Sequence, residues 1–193
     1  AATTFSLAEY LDLYRQRGKE LRAKRVANQN HLTVAKTFSL AFEQVTARNP
    51  AAADLLRACA FLHPDAIPEE LLIEGAPEWG EPLAAALADP LEWTDLFAAL
   101  NRFALIARDP DAHTLTLHRV VQDVLQDELN EDGQRRWAER AVRAVERGFP
   151  NPQEFSTWPQ CERLLPQAQA AAAWIARWGF AFVEGRRLLN NAA

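Results

Sequence analysis

A chain of 193 residues, 49% hydrophobic and 24% charged, is long enough to bury a sizeable core in one or two globular domains. Its net charge of -5 argues against a dedicated nucleic-acid binder, and no window offers the roughly 18 uninterrupted apolar residues of a membrane span. Two cysteines, Cys59 and Cys161, in helical-looking segments fit free thiols in a reducing cytosol, and the absence of any methionine, even at position 1, fits a processed piece of a longer protein.

Taken in order, Ser6 with Glu9 three residues on reads as a capping box, followed by the stripe Leu7, Tyr10, Leu11, Tyr14. The basic run from Arg15 to Arg25 reads as a solvated helix end, with a contact to an acidic partner or nucleic acid as the sharper alternative. Val26 to Asn30 is a linker and the first boundary. A helix over Thr33–Arg48 turns Val34, Phe38, Leu40, Ala41, Phe42 and Val45 inward. Asn49-Pro50 ends it, and Pro50 suits the first turn of the next helix. Ala51–Leu62, with Leu55, Leu56, Cys59 and Phe61, is the most apolar segment.

His63-Pro64-Asp65 follows. A His and an Asp in one loop are the residue types of a metal or acid–base site. No second His or Cys stands at ligand spacing, His31 is alone, and His113 and His118 are five apart on no common helical face. The reading is therefore a turn in which Asp65 caps a helix starting near Pro68, and no metal site. Ala76–Gly80 reads as loop and Glu81–Ala88 as a short helix broken by Asp89-Pro90. Trp93, Leu96, Phe97 and Leu100 then give an i, i+3, i+4, i+7 stripe.

The stretch from Phe103 to Leu125 changes period twice. Phe103–Ala107 is an apolar strand, Asp109-Pro110-Asp111-Ala112 a turn, and Thr114–His118 alternates with period two. Leu115 and Leu117 share one strand face, so Thr116 and His118 take the other, and His118 points away from the core. Val120, Val121, Val124, Leu125 and Leu129 then recur at helical spacing, with Arg119, Gln122, Asp123 and Gln126 between them. Leu56, Phe61, Phe97, Leu100 and Leu117 are the expected core. Helix, hairpin, helix, with no other convincing strand, predicts a mainly helical fold with one β-hairpin: a winged helix.

Asn130–Gly133 is a turn and the second boundary. Asp132 caps a helix to Arg147 with Trp137, Ala138, Ala141, Val142 and Val145 inward. Its outer face carries Arg135, Arg136, Arg140, Arg143 and Arg147, and Glu139 pairs with Arg143 at i,i+4. That face reads as solvated, with docking of an acidic partner as the alternative. After a Pro-rich connector over Gly148–Thr157 come Trp158–Pro166, an alanine-rich helix to Trp178, a stop at Gly179 and a last helix over Phe180–Asn190. Helix pairs rich in small and aromatic residues suggest the start of an α-solenoid.

Leu117-His118-Arg119, placed after a hairpin and before a helix, resembles the "MHD" signature that closes the winged helix of NB-ARC/STAND signalling ATPases; only the His is kept. The run LLRACAFLHPDAIPEELL over 55–72 resembles the same region of bacterial members that carry tetratricopeptide (TPR) repeats, and FSLAEYLDLYRQRGKEL over 5–21 resembles the last helix of the preceding helical subdomain. The resemblance implies a helix of that subdomain in 1–30, a winged helix in 31–130, and a helical region leading into TPR-like repeats in 131–193. It implies that His118 reaches the phosphates of ADP held by a nucleotide-binding domain elsewhere in the same polypeptide, with other proteins met through the C-terminal helices and the whole cytoplasmic. ADP or ATP would be bound by the parent protein and no cofactor by this chain, because no GxxxxGK[ST] loop occurs. Cys59 in a core helix and Cys161 with no adjacent base leave no catalytic set, so the chain reads as regulatory and not as an enzyme.

Two other classes stay open. A protein–protein scaffold without nucleotide needs only the helical surfaces. A winged-helix DNA binder would have to use Glu92, Asp95, Asn101 and Arg102 on the Trp93 helix, and two carboxylates there repel phosphate.

Overall fold

The computed structural model describes residues 29–101 and 105–191. The expected N-terminal capping box, the basic run and the start of the linker lie outside the described residues, as do Arg102, Phe103, Ala104 and the side chains of Val34 and Leu40. The chain divides into two compact units, residues 1–40 and 41–193, and the second holds most of the described residues.

Helix α1 spans Gln29–Arg48, so Gln29 and Asn30, read as linker, are helical. Its Phe42 and Val45 are buried as their spacing predicts. Asn49 caps α2, Pro50–Ala60, by accepting from the Ala52 amide at 3.0 Å, with Pro50 in the first turn. Along α2, Leu55, Leu56, Ala58 and Cys59 have no exposed surface. Strand β1 is only Ile67–Pro68. It is followed by α3, Glu69–Glu74, and α4, Ala76–Trp79. The latter stretch reads as loop in the sequence because a proline and two glycines crowd it. It is helical because Trp79 is fully buried, its indole donating to the Leu72 carbonyl at 3.1 Å. Gly75 joins α3 to α4 where a Cβ would lie 2.7 Å from that of Ala144, so the close approach to the backbone at Ala144 admits only glycine. Helices α5, Leu83–Ala88, and α6, Pro90–Asn101, complete this part, and Leu96, Phe97 and Leu100 of α6 are buried.

Strands β2, Ala107–Asp109, and β3, Thr114–Thr116, form the hairpin. It sits further along the chain than the apolar run suggests. Leu105 and Ile106 are buried but precede the strand, and Asp109, read as turn, pairs with Thr114. The second side of β3 pairs antiparallel with β1, giving the sheet order β1-β3-β2. A mainly helical body with this small antiparallel sheet and a wing between β2 and β3 is the winged-helix arrangement, and the five expected core residues are all buried.

Helix α7, Arg119–Asp127, leaves β3 and packs on α2. Helix α8, Glu131–Gly148, buries Trp137, Ala138, Ala141, Val142 and Val145. Its cap is Asn130, which accepts from the Gly133 amide at 2.8 Å; Asp132, the expected cap, lies in the first turn. A 3-10 turn at Phe155–Thr157 leads into α9, Trp158–Trp178, one helix that continues through Pro166 where the sequence suggests a break. Gly179, at φ 62, ends it in the left-handed conformation. The last helix, α10, covers Val183–Asn191. Both α9 and α10 pack on α8. Among the described residues no helix is long and apolar enough to cross a membrane.

Candidate functional site

The side of β3 away from the core leads to His118. Leu115 and Leu117 are fully buried, while Thr116 and His118 are exposed. The alternation therefore holds past the last paired residue, although His118 is not in the strand. It is the N-cap of α7: in extended conformation (φ -62, ψ 135), its Nδ1 accepts from the Val120 amide at 3.2 Å. The backbone is fixed from the other side, because the Leu117 amide donates to the Pro64 carbonyl at 3.0 Å.

His118 lines an open groove of about 560 Å³, with Asp65, Ile106, Thr116 and Arg119 among its other walls. Arg119 lies 3.8 Å from Asp65, both more than half exposed, so the pair is loose and contributes little stability. Asp65 thus borders the groove and does not cap a helix. Pro68 holds the cap position of α3 and makes no side-chain cap bond. His63 turns its Nδ1 back to the Asp65 backbone. An imidazole that accepts at Nδ1 carries its ring proton on Nε2, which makes the exposed nitrogen a donor. A guanidinium and a carboxylate flank it.

The other sequence candidates are dispersed. His113 is at the wing tip with φ 51, 3.8 Å from Glu69. Glu69 is buried and holds Arg108 through both oxygens, the second bond at 3.0 Å. These bonds push the Arg108 guanidinium up, and Arg108 stacks 4.5 Å above the Phe97 ring. Cys59 is entirely buried, and burial pushes its thiol up to about 12, so it is protonated and unreactive at neutral pH. Cys161 is half-buried and also free. The arginines of α8 are partly used within the fold. Arg143 binds Glu139 at 3.0 Å and Glu184 at 2.9 Å, and Arg147 binds the Glu74 carbonyl at 3.0 Å.

One constellation had no clear sequence signal. The C-terminal end of α2 is closed by side chains from distant helices. Gln122 of α7, a polar residue among the apolar ones of that helix, is buried and donates to the Cys59 and Leu62 carbonyls at 2.9 Å each. Gln126 reaches the Ala60 carbonyl at 2.6 Å. From α9, Trp174 donates to the Phe61 carbonyl at 2.8 Å, and Gln167 both accepts from the His63 amide at 2.8 Å and donates to its carbonyl at 3.3 Å. A helix end leaves several carbonyls without partners, and here side chains satisfy them. Only the abundance of glutamine in α7 and α9 hinted at it.

Residues 41–134 match a family described as a domain of unknown function (DUF7779). That stretch holds the winged helix, the groove and His118, while α9 and α10 lie beyond it. No curated protein and no solved structure matches the chain.

Proposed function

We propose that the chain is a non-catalytic regulatory module of a STAND-type signalling ATPase of the cytoplasm. Its winged helix holds the ADP-bound off-state of a nucleotide-binding domain in the same polypeptide, and the helices after residue 130 lead into a TPR-like sensor that meets other proteins. The observation that carries this reading is the state of His118. Its Nδ1 is occupied by the α7 cap, its ring is exposed beside an open groove, and Nε2 is left as a donor suited to a phosphate oxygen. The resemblance of Leu117-His118-Arg119 to the family signature supplies the identity of the ligand.

Capping and donation come from different nitrogens, so a substitution can separate them. Asparagine is among the best N-caps, and His118→Asn keeps an acceptor for Val120 while placing no donor where Nε2 was. In the parent polypeptide, ADP release from His118→Asn should quicken roughly tenfold to a hundredfold, the equivalent of one hydrogen bond to a charged group, with an unchanged melting temperature. His118→Ala should show the same release and also lose about 1 kcal/mol of stability with the cap. Wild-type release in the Asn variant would make His118 a helix cap alone.

A second reading, a scaffold without nucleotide, is favoured by one observation: the Phe155 and Trp158 rings meet in a tilted contact, centroids 4.8 Å apart, while 78% and 52% exposed. Wild-type ADP release in both variants would favour it.

A further inference from the structure

Gln167 is only 1% exposed, yet its amide uses both of its functions on the backbone of one residue 104 positions away. It accepts from the amide of His63 and donates to the carbonyl of the same residue. Gln is the side chain that can do this, because its terminal amide presents a donor and an acceptor side by side. Arg163, four residues before it, donates to the Ala112 carbonyl in the wing at 2.8 Å. Trp174, seven residues after it, holds the Phe61 carbonyl. Offsets of four and seven place all three on one side of α9. This side grips the tip of the wing and the turn after α2, and that turn contributes Asp65 to the groove wall.

From the gripped peptide a short bonded path leads to His118. The residue after His63 is Pro64, whose carbonyl accepts from the Leu117 amide at 3.0 Å, and Leu117 precedes His118. One residue further, Asp65 faces Arg119 across the groove at 3.8 Å. Beyond it, the Ala66 amide donates to Thr116 Oγ1 at 3.4 Å. Asp65 and Thr116 are both groove walls. The turn 63–66 is thus bonded to α9 on one side and to the groove on the other.

We propose that Gln167 is a latch through which α9 sets the position of the 63–66 turn, and with it the geometry of the His118 groove. As a route from the C-terminal helices to the nucleotide contact, it rests on the function proposed above; as a mechanical link between α9 and the groove, it stands by itself. A displacement of α9 pulls on the His63 peptide and is delivered to Leu117 and Asp65.

Gln167→Met keeps the side-chain volume and removes both hydrogen bonds. In the whole chain, the His63 amide should exchange with solvent roughly tenfold faster, and the NMR signals of the Val120 amide and the His118 ring should move. Val142→Ala, which opens a cavity in the fully buried interior of α8, controls for general loosening and should leave those signals in place. Where Gln167→Met folds poorly, Gln167→Asn, which stays neutral and polar but is one methylene too short to reach His63, carries the same comparison. Groove signals that stay at their wild-type positions in the Gln167 variant overturn the latch, as does an equal movement in Val142→Ala. The ADP release of His118→Asn tests the nucleotide reading separately, so the two can fail independently.

Discussion

Ala66 adopts φ 50, a conformation that a Cβ makes costly, and it does so between the latch and the groove. The left-handed region costs an alanine roughly 1–2 kcal/mol, while glycine pays about 0.5–1 kcal/mol more backbone entropy on folding. Ala66 is exposed, so its methyl adds little burial. Ala66→Gly should therefore stabilise the chain by about 0.5–1 kcal/mol in urea melts, and Ala66→Val should destabilise it, because β-branching is worst tolerated there. No stabilisation in the glycine variant would show that this turn is not strained. The position is illegible in the sequence: alanine signals helix, and only the pairing of Ile67 with Leu115 and the bond to Thr116 force the backbone into this turn. The outward direction of His118, by contrast, could be read directly, since the alternation begun in Thr114–Thr116 continues through buried Leu117 to exposed His118 although the strand ends before it.

At the scale of elements, α2 is the helix on which the fold closes, and its single cysteine makes that burial measurable. The thiol of Cys59 is held near 12 against an ordinary 9.0 because the thiolate has no water around it. The neutral form is favoured by folding, so this contribution is complete below pH 9 and is lost as the pH rises toward 12. Wild-type stability should fall across that window by about 1.4 kcal/mol per pH unit more steeply than that of Cys59→Ala. At pH 8 an alkylating reagent should modify Cys161 in the native chain and reach Cys59 only on unfolding. Equal labelling of both thiols would mean that α2 opens readily. The burial of α2 was legible because its apolar residues are continuous. What closes it was not. Gln122 reads as polar by residue type although it shares a helix face with Leu125 three residues on, and its burial follows from carbonyls about 60 residues away that need donors. Likewise α4 is hidden behind Pro77 and two glycines, and Trp79 reveals it only once Leu72 is in place.

For the whole molecule, the winged helix invites comparison with a DNA reader, and its charge opposes that use. Glu92 and Asp95 are exposed on α6, and Arg108 is drawn back onto Glu69 and Phe97. These features remove cations from the surfaces that would meet phosphate. The chain at micromolar concentration should give no salt-dependent shift with duplex DNA in an electrophoretic or anisotropy titration. A sequence-specific shift that persists at moderate salt would replace the nucleotide-switch reading with a DNA-binding one. The mainly helical class and the hairpin were legible from composition and two changes of period. The third strand was not, because two residues, Ile67 and Pro68, are too few to show any pattern.

The side chains that close α2 also order events in time. Phe61 and His63 emerge from the ribosome 113 and 104 residues before the groups that complete them, Trp174 and Gln167. At about 5–20 residues per second, that interval is roughly 5–20 seconds. Until then the end of the most apolar helix is served by water and by the two glutamines of α7. The winged helix is therefore synthesised before its last bonds can form, and the nascent chain carries an unfinished helix end until α9 arrives.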